Sequence, residues 1–250
     1  MIGVVGFGRF GALAARYLAA DCKVMVHSGS QPASAIEAVG ASKSSLEEAC
    51  RQPFVVLSVP ISAMQGTLQT IAPLVSPEAV VIDVCSVKVN PIEWMQTLLP
   101  RHVAILGTHP MFGPDSAADS LQGRKMVLCN VSTPKDTYQK IFSYLSEKGL
   151  DVIEATPEEH DRQIAVSLSL THFIGRSLAE FGADPLTIDT EGYKRLRYTL
   201  EVVEHDTWQL FQDMHHYNPF AAAVREDFMA AMRRINERLR QQAIDGDATD

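Results

Sequence analysis

The 250-residue sequence is poor in cysteine: only Cys22, Cys50, Cys85 and Cys129 occur, far apart and with no Cys-x-x-Cys pair. That pattern fits buried, reduced thiols and argues against a disulfide framework or a zinc site. Long apolar runs are missing too. No window approaches 18 uncharged apolar residues, so no membrane span is expected. The chain passes from Met1 straight into a short apolar run, so no targeting peptide is expected and a cytoplasmic protein is the reading. Positive charge is in deficit, with 22 Lys and Arg against 30 Asp and Glu and a net charge of −8. Such a balance argues against a nucleic-acid partner, which needs a basic face, and means that a small anionic substrate would need locally placed donors. The adjacent His215 and His216 have no acidic or cysteine residues at ligand spacing, so they are assigned to a solvated helix face and no metal is expected.

What remains is an ordinary globular composition, 46% hydrophobic and 21% charged, of a length that suits two domains. Ile2-Gly3-Val4-Val5 reads as a strand, Gly6-Phe7-Gly8-Arg9-Phe10-Gly11 as a glycine loop, and residues 12–20 as a helix. In the order strand, GxGxxG, helix, the first glycine allows the tight turn, the second lets a pyrophosphate approach the backbone, and the third lets helix and strand pack closely. A dinucleotide site built on Gly6, Phe7, Gly8, Arg9, Phe10 and Gly11 is expected. The second strand ends at His27-Ser28-Gly29-Ser30, where a carboxylate would ordinarily hold the ribose hydroxyls. None is present, and His27, Ser28 and Ser30 are potential donors to a 2′-phosphate. NADP is therefore the expected cofactor and NAD the alternative; the arginine usual for a 2′-phosphate is missing here, with Arg9 as the substitute available. A further strand from Phe54 delivers Ser58-Val59-Pro60 to the cofactor, and Ser62 is a candidate N-cap for the helix after it.

Two further apolar runs end in polar residues. Residues 79–84 lead to Ser86, and residues 103–106 lead to Gly107-Thr108-His109-Pro110-Met111-Phe112-Gly113-Pro114. If the two strands pair, Ser86 and His109 end side by side at the sheet edge where open α/β folds bind ligands, with His109 on a proline-stiffened loop. A capping or plain hydrogen-bonded loop histidine is the competing reading for His109, and an N-cap for the helix near Pro91–Leu99 is the one for Ser86. Beyond Thr156-Pro157 the pattern turns helical, with windows at about 158–182, 189–215 and 219–243 and a polar tail over 245–250. The expected architecture is α/β: a doubly wound Rossmann-type domain over 1–155, followed by an all-α domain over 156–250.

Taken together, Asp83-Val84-Cys85-Ser86-Val87-Lys88, Thr108 to Pro114, Glu159-His160-Asp161 and Thr171-His172-Phe173-Ile174-Gly175-Arg176 resemble the prephenate/arogenate dehydrogenase family. The plant-type arogenate dehydrogenases are the nearest branch, as Ile188 to Tyr193 and Tyr217-Asn218-Pro219 also suggest. The resemblance implies oxidative decarboxylation of arogenate or prephenate in tyrosine biosynthesis. His109 would take the ring-hydroxyl proton while hydride leaves for the nicotinamide, and Ser86 would hydrogen-bond His109 and the nicotinamide side. Thr171, His172 and Arg176 are candidate substrate contacts, the last two sharing a helix face, and the His160-Asp161 pair is read as orienting a helix start. Asp115 would favour arogenate by pairing its ammonium. The family also implies a homodimer formed through the helical domain. The competing functions are another NADP-dependent oxidoreductase, of the hydroxyacid dehydrogenase or imine reductase type, and a non-enzymatic NADP sensor needing no poised base.

Overall fold

The computed structural model describes residues 1–204 and 206–247. Eight strands form one sheet: Ile2–Val5 (β1), Val24–His27 (β2), Ser42–Lys43 (β3), Phe54–Leu57 (β4), Val80–Asp83 (β5), Ala104–Pro110 (β6), Lys125–Asn130 (β7) and Asp151–Glu154 (β8). Helices in the same stretch are Arg9–Ala19 (α1), Ala33–Glu37 (α2), Leu46–Cys50 (α3), Met64–Ile71 (α4), Val89–Leu98 (α5) and Lys135–Glu147 (α6). The strand order is β3-β2-β1-β4-β5-β6-β7-β8, parallel throughout except between β6 and β7. This is the doubly wound Rossmann-type arrangement expected. Its strand order reverses between β1 and β4, so the crevice at their carboxyl ends is where a nucleotide belongs. The strands read as unbroken Val, Ile and Leu runs because helices cover both faces, and Val4, Val26, Val55, Leu57, Val81 and Leu106 are almost wholly inaccessible.

The helical part of the chain comprises Pro157–Ile164 (α7), a π-helical segment Ala165–Leu170, Thr171–Phe181 (α8), Glu191–Glu204 (α9), Trp208–His216 (α10) and Ala221–Asp247 (α11). By compactness the molecule divides into two units, with the boundary between Asp161 and Arg162, inside α7. The window read as one helix over 189–215 is two, because Thr207 accepts the Leu210 N–H at 3.1 Å and starts α10 afresh. The polar tail is helical as far as Asp247, and its last three residues lie outside the described residues. Ser62 does not cap α4; it lies within a 3₁₀ turn, Ile61–Ala63, that leads into the helix. Among the described residues no helix is long and apolar enough to cross a membrane.

His109 lies within β6 instead of on a loop. β7 runs antiparallel beside β6 and pairs His109 with Val127 and Pro110 with Met126, which extends the strand past the end of β5 at Asp83. Pro110 is tolerated because only one of its flanks is paired there.

Candidate active site

The nucleotide crevice is a cavity of about 700 Å³ lined by Gly6, Phe7, Gly8, His27, Ser28, Ser30 and, across from them, Ser58, Val59 and Pro60. Its glycines do different work. Gly6 has φ +99°, and a Cβ on Gly11 would lie 2.4 Å from the Gly6 carbonyl, so these two close the turn against the helix. A Cβ on Gly8 would meet nothing within 4 Å, which leaves open space before the first turn of α1. That turn carries no side-chain cap and no acidic residue, so its N–H groups remain available to a pyrophosphate. The residues present therefore fit a dinucleotide. At the end of β2, Ser28 is buried and its Oγ accepts the Gln31 N–H at 3.2 Å, leaving the hydroxyl proton to donate. No carboxylate is among the residues lining the cavity.

Three placements differ from the sequence reading of this loop. The Phe10 side chain leaves the nucleotide crevice and packs near Phe112, with ring centroids 6.2 Å apart. Arg9 does not line the crevice; its Nη2 pairs with Asp115 Oδ1 at 2.6 Å, because the glycine loop and the segment after Pro114 meet there. The cation nearest the 28–31 turn is Lys43 on β3, whose Nζ donates to the Gln31 carbonyl at 2.8 Å. Lys43 escaped notice because β3 is two residues long and shows no apolar pattern.

His109 is almost fully buried, and its Nδ1 lies 2.8 Å from His160 Nε2. His160 Nδ1 in turn lies 2.7 Å from Asp161 Oδ1. Asp161 also accepts the backbone N–H groups of Lys88 at 2.7 Å and Val89 at 2.9 Å, capping α5 from another element. As a group accepting on both oxygens, Asp161 accepts a hydrogen bond from the Nδ1–H of His160. Burial holds His160 below its ordinary range, so its Nε2 carries a lone pair in the neutral ring. His109 Nδ1 must then be the donor, and its Nε2 is left with a lone pair. Burial holds His109 well below the usual histidine range, reinforced by His160 and by the Lys88 ammonium. The ring is a neutral base whose free nitrogen makes no hydrogen bond among the described residues.

The sequence itself sets up this chain of contacts. Thr156 and Glu159 form a capping box, with Thr156 Oγ1 accepting the Glu159 N–H at 3.2 Å and Glu159 Oε2 accepting the Thr156 N–H at 3.0 Å. Pro157 occupies the first helical position, and the turn so fixed carries His160 and Asp161. Beneath them Lys88 and Asp83, both wholly buried, form an ion pair, and Lys88 Nζ also donates to the Thr108 carbonyl at 2.5 Å. Asp83 further accepts the N–H groups of Cys85 at 3.0 Å and Thr108 at 3.3 Å. The network thus binds the end of β5 to the residue preceding His109.

Ser86 makes neither of the two contacts within the protein that the sequence readings expected. It does not bond His109, whose Nδ1 is taken by His160, and it does not cap α5, whose first N–H groups are taken by Asp161. Its Oγ is buried with no hydrogen-bond partner. Such an orphaned hydroxyl is unusual in a native fold and suits a group that completes its bonding with a ligand.

In the second unit, His172 and Arg176 share one face of α8 and converge on Asp206. His172 Nε2 lies 3.7 Å from Asp206 Oδ2, and Arg176 Nη2 donates to the Asp206 carbonyl while its guanidinium sits 5.7 Å from the Trp208 ring centroid. His172 Nδ1 and Arg176 Nε are buried without partners. Thr171 spends its hydroxyl on the Ser167 carbonyl at 3.0 Å. His215 is not solvated as expected: it is half-buried against Phe211 and Phe173, and burial, Arg225 and His172 push its pKa down to about 4. Between pH 4 and the ordinary value near 6.5 the unfolded chain therefore binds more protons at this site, and stability falls as pH is lowered through that window. A His215→Phe protein is expected to lose less melting temperature than the wild type between pH 6.5 and 4 in thermal scans.

The model of the prephenate dehydrogenase nucleotide-binding domain matches residues 15–154, more than half of the chain. The chain belongs to the prephenate dehydrogenase family. A second model, the TYRAAT1-like C-terminal domain, matches residues 177–249. Among this family's relatives, arogenate dehydrogenase 2, chloroplastic, of Arabidopsis thaliana is 29% identical over 95% of this chain and 69% of its own length. A probable arogenate/prephenate dehydrogenase of Methanocaldococcus jannaschii is 26% identical over 80% of this chain, which spans 47% of that protein. In structure, Synechocystis arogenate dehydrogenase superposes with a TM-score of 0.72 at 23% identity, covering 97% of this chain and 92% of its own. Prephenate dehydrogenase from A. aeolicus, in complex with hydroxyphenyl propionate and NAD+, gives 0.76 at 20% identity over 96% and 90%. These structural likenesses establish a shared fold.

Proposed function

We propose that the protein catalyses the NAD(P)-dependent oxidative decarboxylation of arogenate or prephenate, with His109 as the base. The observation that carries this reading is the Asp161–His160–His109 chain, which fixes a buried imidazole as the tautomer with a lone pair on Nε2. That nitrogen takes the proton of the ring hydroxyl. The bound nicotinamide supplies the hydride acceptor, and loss of CO2 then aromatises the ring. As His109 becomes an imidazolium, its Nδ1–H bond to His160 strengthens, and the carboxylate of Asp161, one residue further along, offsets the new buried charge. Lys88 opposes protonation, so His109 is neutral at rest and accepts a proton only while it is in hydrogen-bond contact with the substrate. The Ser86 hydroxyl is available to orient the substrate or the nicotinamide. Residues 1–155 carry the nucleotide site, and residues 156–250, with Thr171, His172 and Arg176, serve substrate binding and dimerisation.

Two finer preferences follow. NADP is the preferred cofactor, because the turn after β2 offers Ser28, Ser30 and His27 with Lys43 close by and no carboxylate to repel a 2′-phosphate. Arogenate is the preferred substrate, because Asp115 is an exposed carboxylate beside the glycine loop. Its partner Arg9 is exposed too, and such a pair is worth about 0–1 kcal/mol, little enough for a substrate ammonium to displace. The test is reduction of NADP and of NAD, followed by absorbance with each substrate, in wild type and Asp115→Asn. Arogenate turnover with NADP is expected, and the variant should lose about tenfold in kcat/KM for arogenate while prephenate is unaffected or improved. Equal losses for both substrates would remove Asp115 from specificity, and no turnover of either would end the dehydrogenase reading.

The second unit exposes Phe181 at 81% and Ile188 at 91%, together with Leu186 and Tyr198. These exposed apolar side chains support a homodimer through the helices, and a monomeric mass at micromolar concentration would exclude it.

A further inference from the structure

The first unit contains a second cavity that the reaction does not use. It measures about 610 Å³, within the range of small-molecule sites, and lies against the sheet between α1 and α6. Protein interiors are packed to crystal-like density, so an apolar cleft of this size opening beside the core strands is a place for an occupant. Its walls are almost entirely apolar and rich in rings, with Phe10, Tyr17, Phe54, Phe112 and Tyr144 all contributing. The polar groups that reach it are mostly spent within the protein. Tyr17 Oη donates to the Ala117 carbonyl at 2.9 Å, and the Thr108 hydroxyl donates to the Asp83 carbonyl at 2.6 Å. At the rim, Tyr144 Oη and Lys148 Nζ both converge on Asp21 Oδ2, at 2.7 and 2.5 Å.

That arrangement leaves one charge over. Lys140, also on α6 and lining the same cavity, is exposed and has no ion-pair or hydrogen-bond partner among the described residues. With the Met1 terminal ammonium, which also lines the cavity, Lys140, Lys148 and Asp21 leave a net positive charge at the mouth of an aromatic-walled chamber. We infer that the cavity is a binding site for a small amphipathic anion, an aromatic body in the chamber with its carboxylate or sulfonate at Lys140. A neutral apolar molecule would leave Lys140 unanswered. Phe10 belongs to the glycine loop and Phe112 to the segment after His109, so the occupant touches an element of each half of the active site.

Two probes with related ring systems separate the apolar and the charged contributions: 8-anilinonaphthalene-1-sulfonate and the uncharged N-phenyl-1-naphthylamine. Fluorescence titration of the full chain with the sulfonate is expected to give one saturable site. Ala14 lines the cavity from α1, and Ala14→Trp, checked for folding by circular dichroism, should abolish that site for both probes. Lys140→Glu, a surface change, should weaken the sulfonate about fivefold and leave the amine within about twofold. Sulfonate binding that survives in folded Ala14→Trp would place it on another apolar surface and overturn the proposal. So would a Lys140→Glu protein in which both probes weaken alike or neither changes, and this comparison decides alone should Ala14→Trp not fold.

Discussion

A His109→Asn protein is expected to bind the nucleotide as the wild type does and to lose about 10²–10⁴-fold in turnover. The substitution keeps the shape of the contact with His160, since the Asn amide can donate an N–H to His160 Nε2 where the ring donated before. What it removes is the second nitrogen, and a carbonyl oxygen in its place is far too weak a base. Because the lost interaction belongs to the transition state, kcat and kcat/KM should fall together. The pH profile makes the test specific. Burial, His160 and Lys88 hold His109 below the ordinary histidine value, so wild-type kcat/KM should be flat across neutral pH and fall with acid only below about 6.5. In the variant that acid limb should vanish with the base. A variant within tenfold of wild type would show that the proton goes elsewhere.

The fold was legible because its signals are local. β1, the glycine loop and α1 follow one another in 19 residues, and each needs only its own pattern to be read. The choice of His109 as a candidate had a similarly local basis, as the lone titratable group in an apolar, proline-bracketed stretch. The partners of His109 were not legible. His160 lies 51 residues away and reaches it through the position of α7 over the sheet edge, which no spacing in the sequence encodes. The His-Asp dipeptide was correctly taken to orient a helix start, but the helix is α5, 72 residues upstream, and not the one that carries the pair. Two of the roles read for Ser86, partner of His109 and cap of α5, are filled instead by this incoming turn. The same holds at Arg9 and Asp115: each was assigned alone to a different ligand, and 106 residues of chain bring them together. Pairwise contacts between distant loops are set by topology, and single-sequence reading recovers the members of such a pair more readily than the pair.

Lys88→Met is expected to destabilise the first unit strongly. Lys88 and Asp83 are both fully inaccessible, so removing the ammonium leaves a carboxylate in the interior with only the N–H groups of Cys85 and Thr108 to answer it. Breaking a buried pair from one side costs about 3–5 kcal/mol, most of it the cost of the stranded charge. Asp83→Asn/Lys88→Met removes that charge as well and should recover more than half of the loss, because the Asn carbonyl can still accept one of those two N–H groups. Trp94 lies on α5 in this unit, and the only other tryptophan is Trp208, so urea unfolding followed by fluorescence in a Trp208→Phe background reports on the right transition. The single variant should shift the midpoint by roughly 2 M and the double by less than half of that. The surviving folded fraction carries a second signature. Removing a cation beside His109 raises the affinity of its ring for a proton, so the acid limb of kcat/KM should move to higher pH in both variants. A destabilised protein whose pH profile stays where it was would confine Lys88 to holding β5 against β6, with no part in keeping the base neutral.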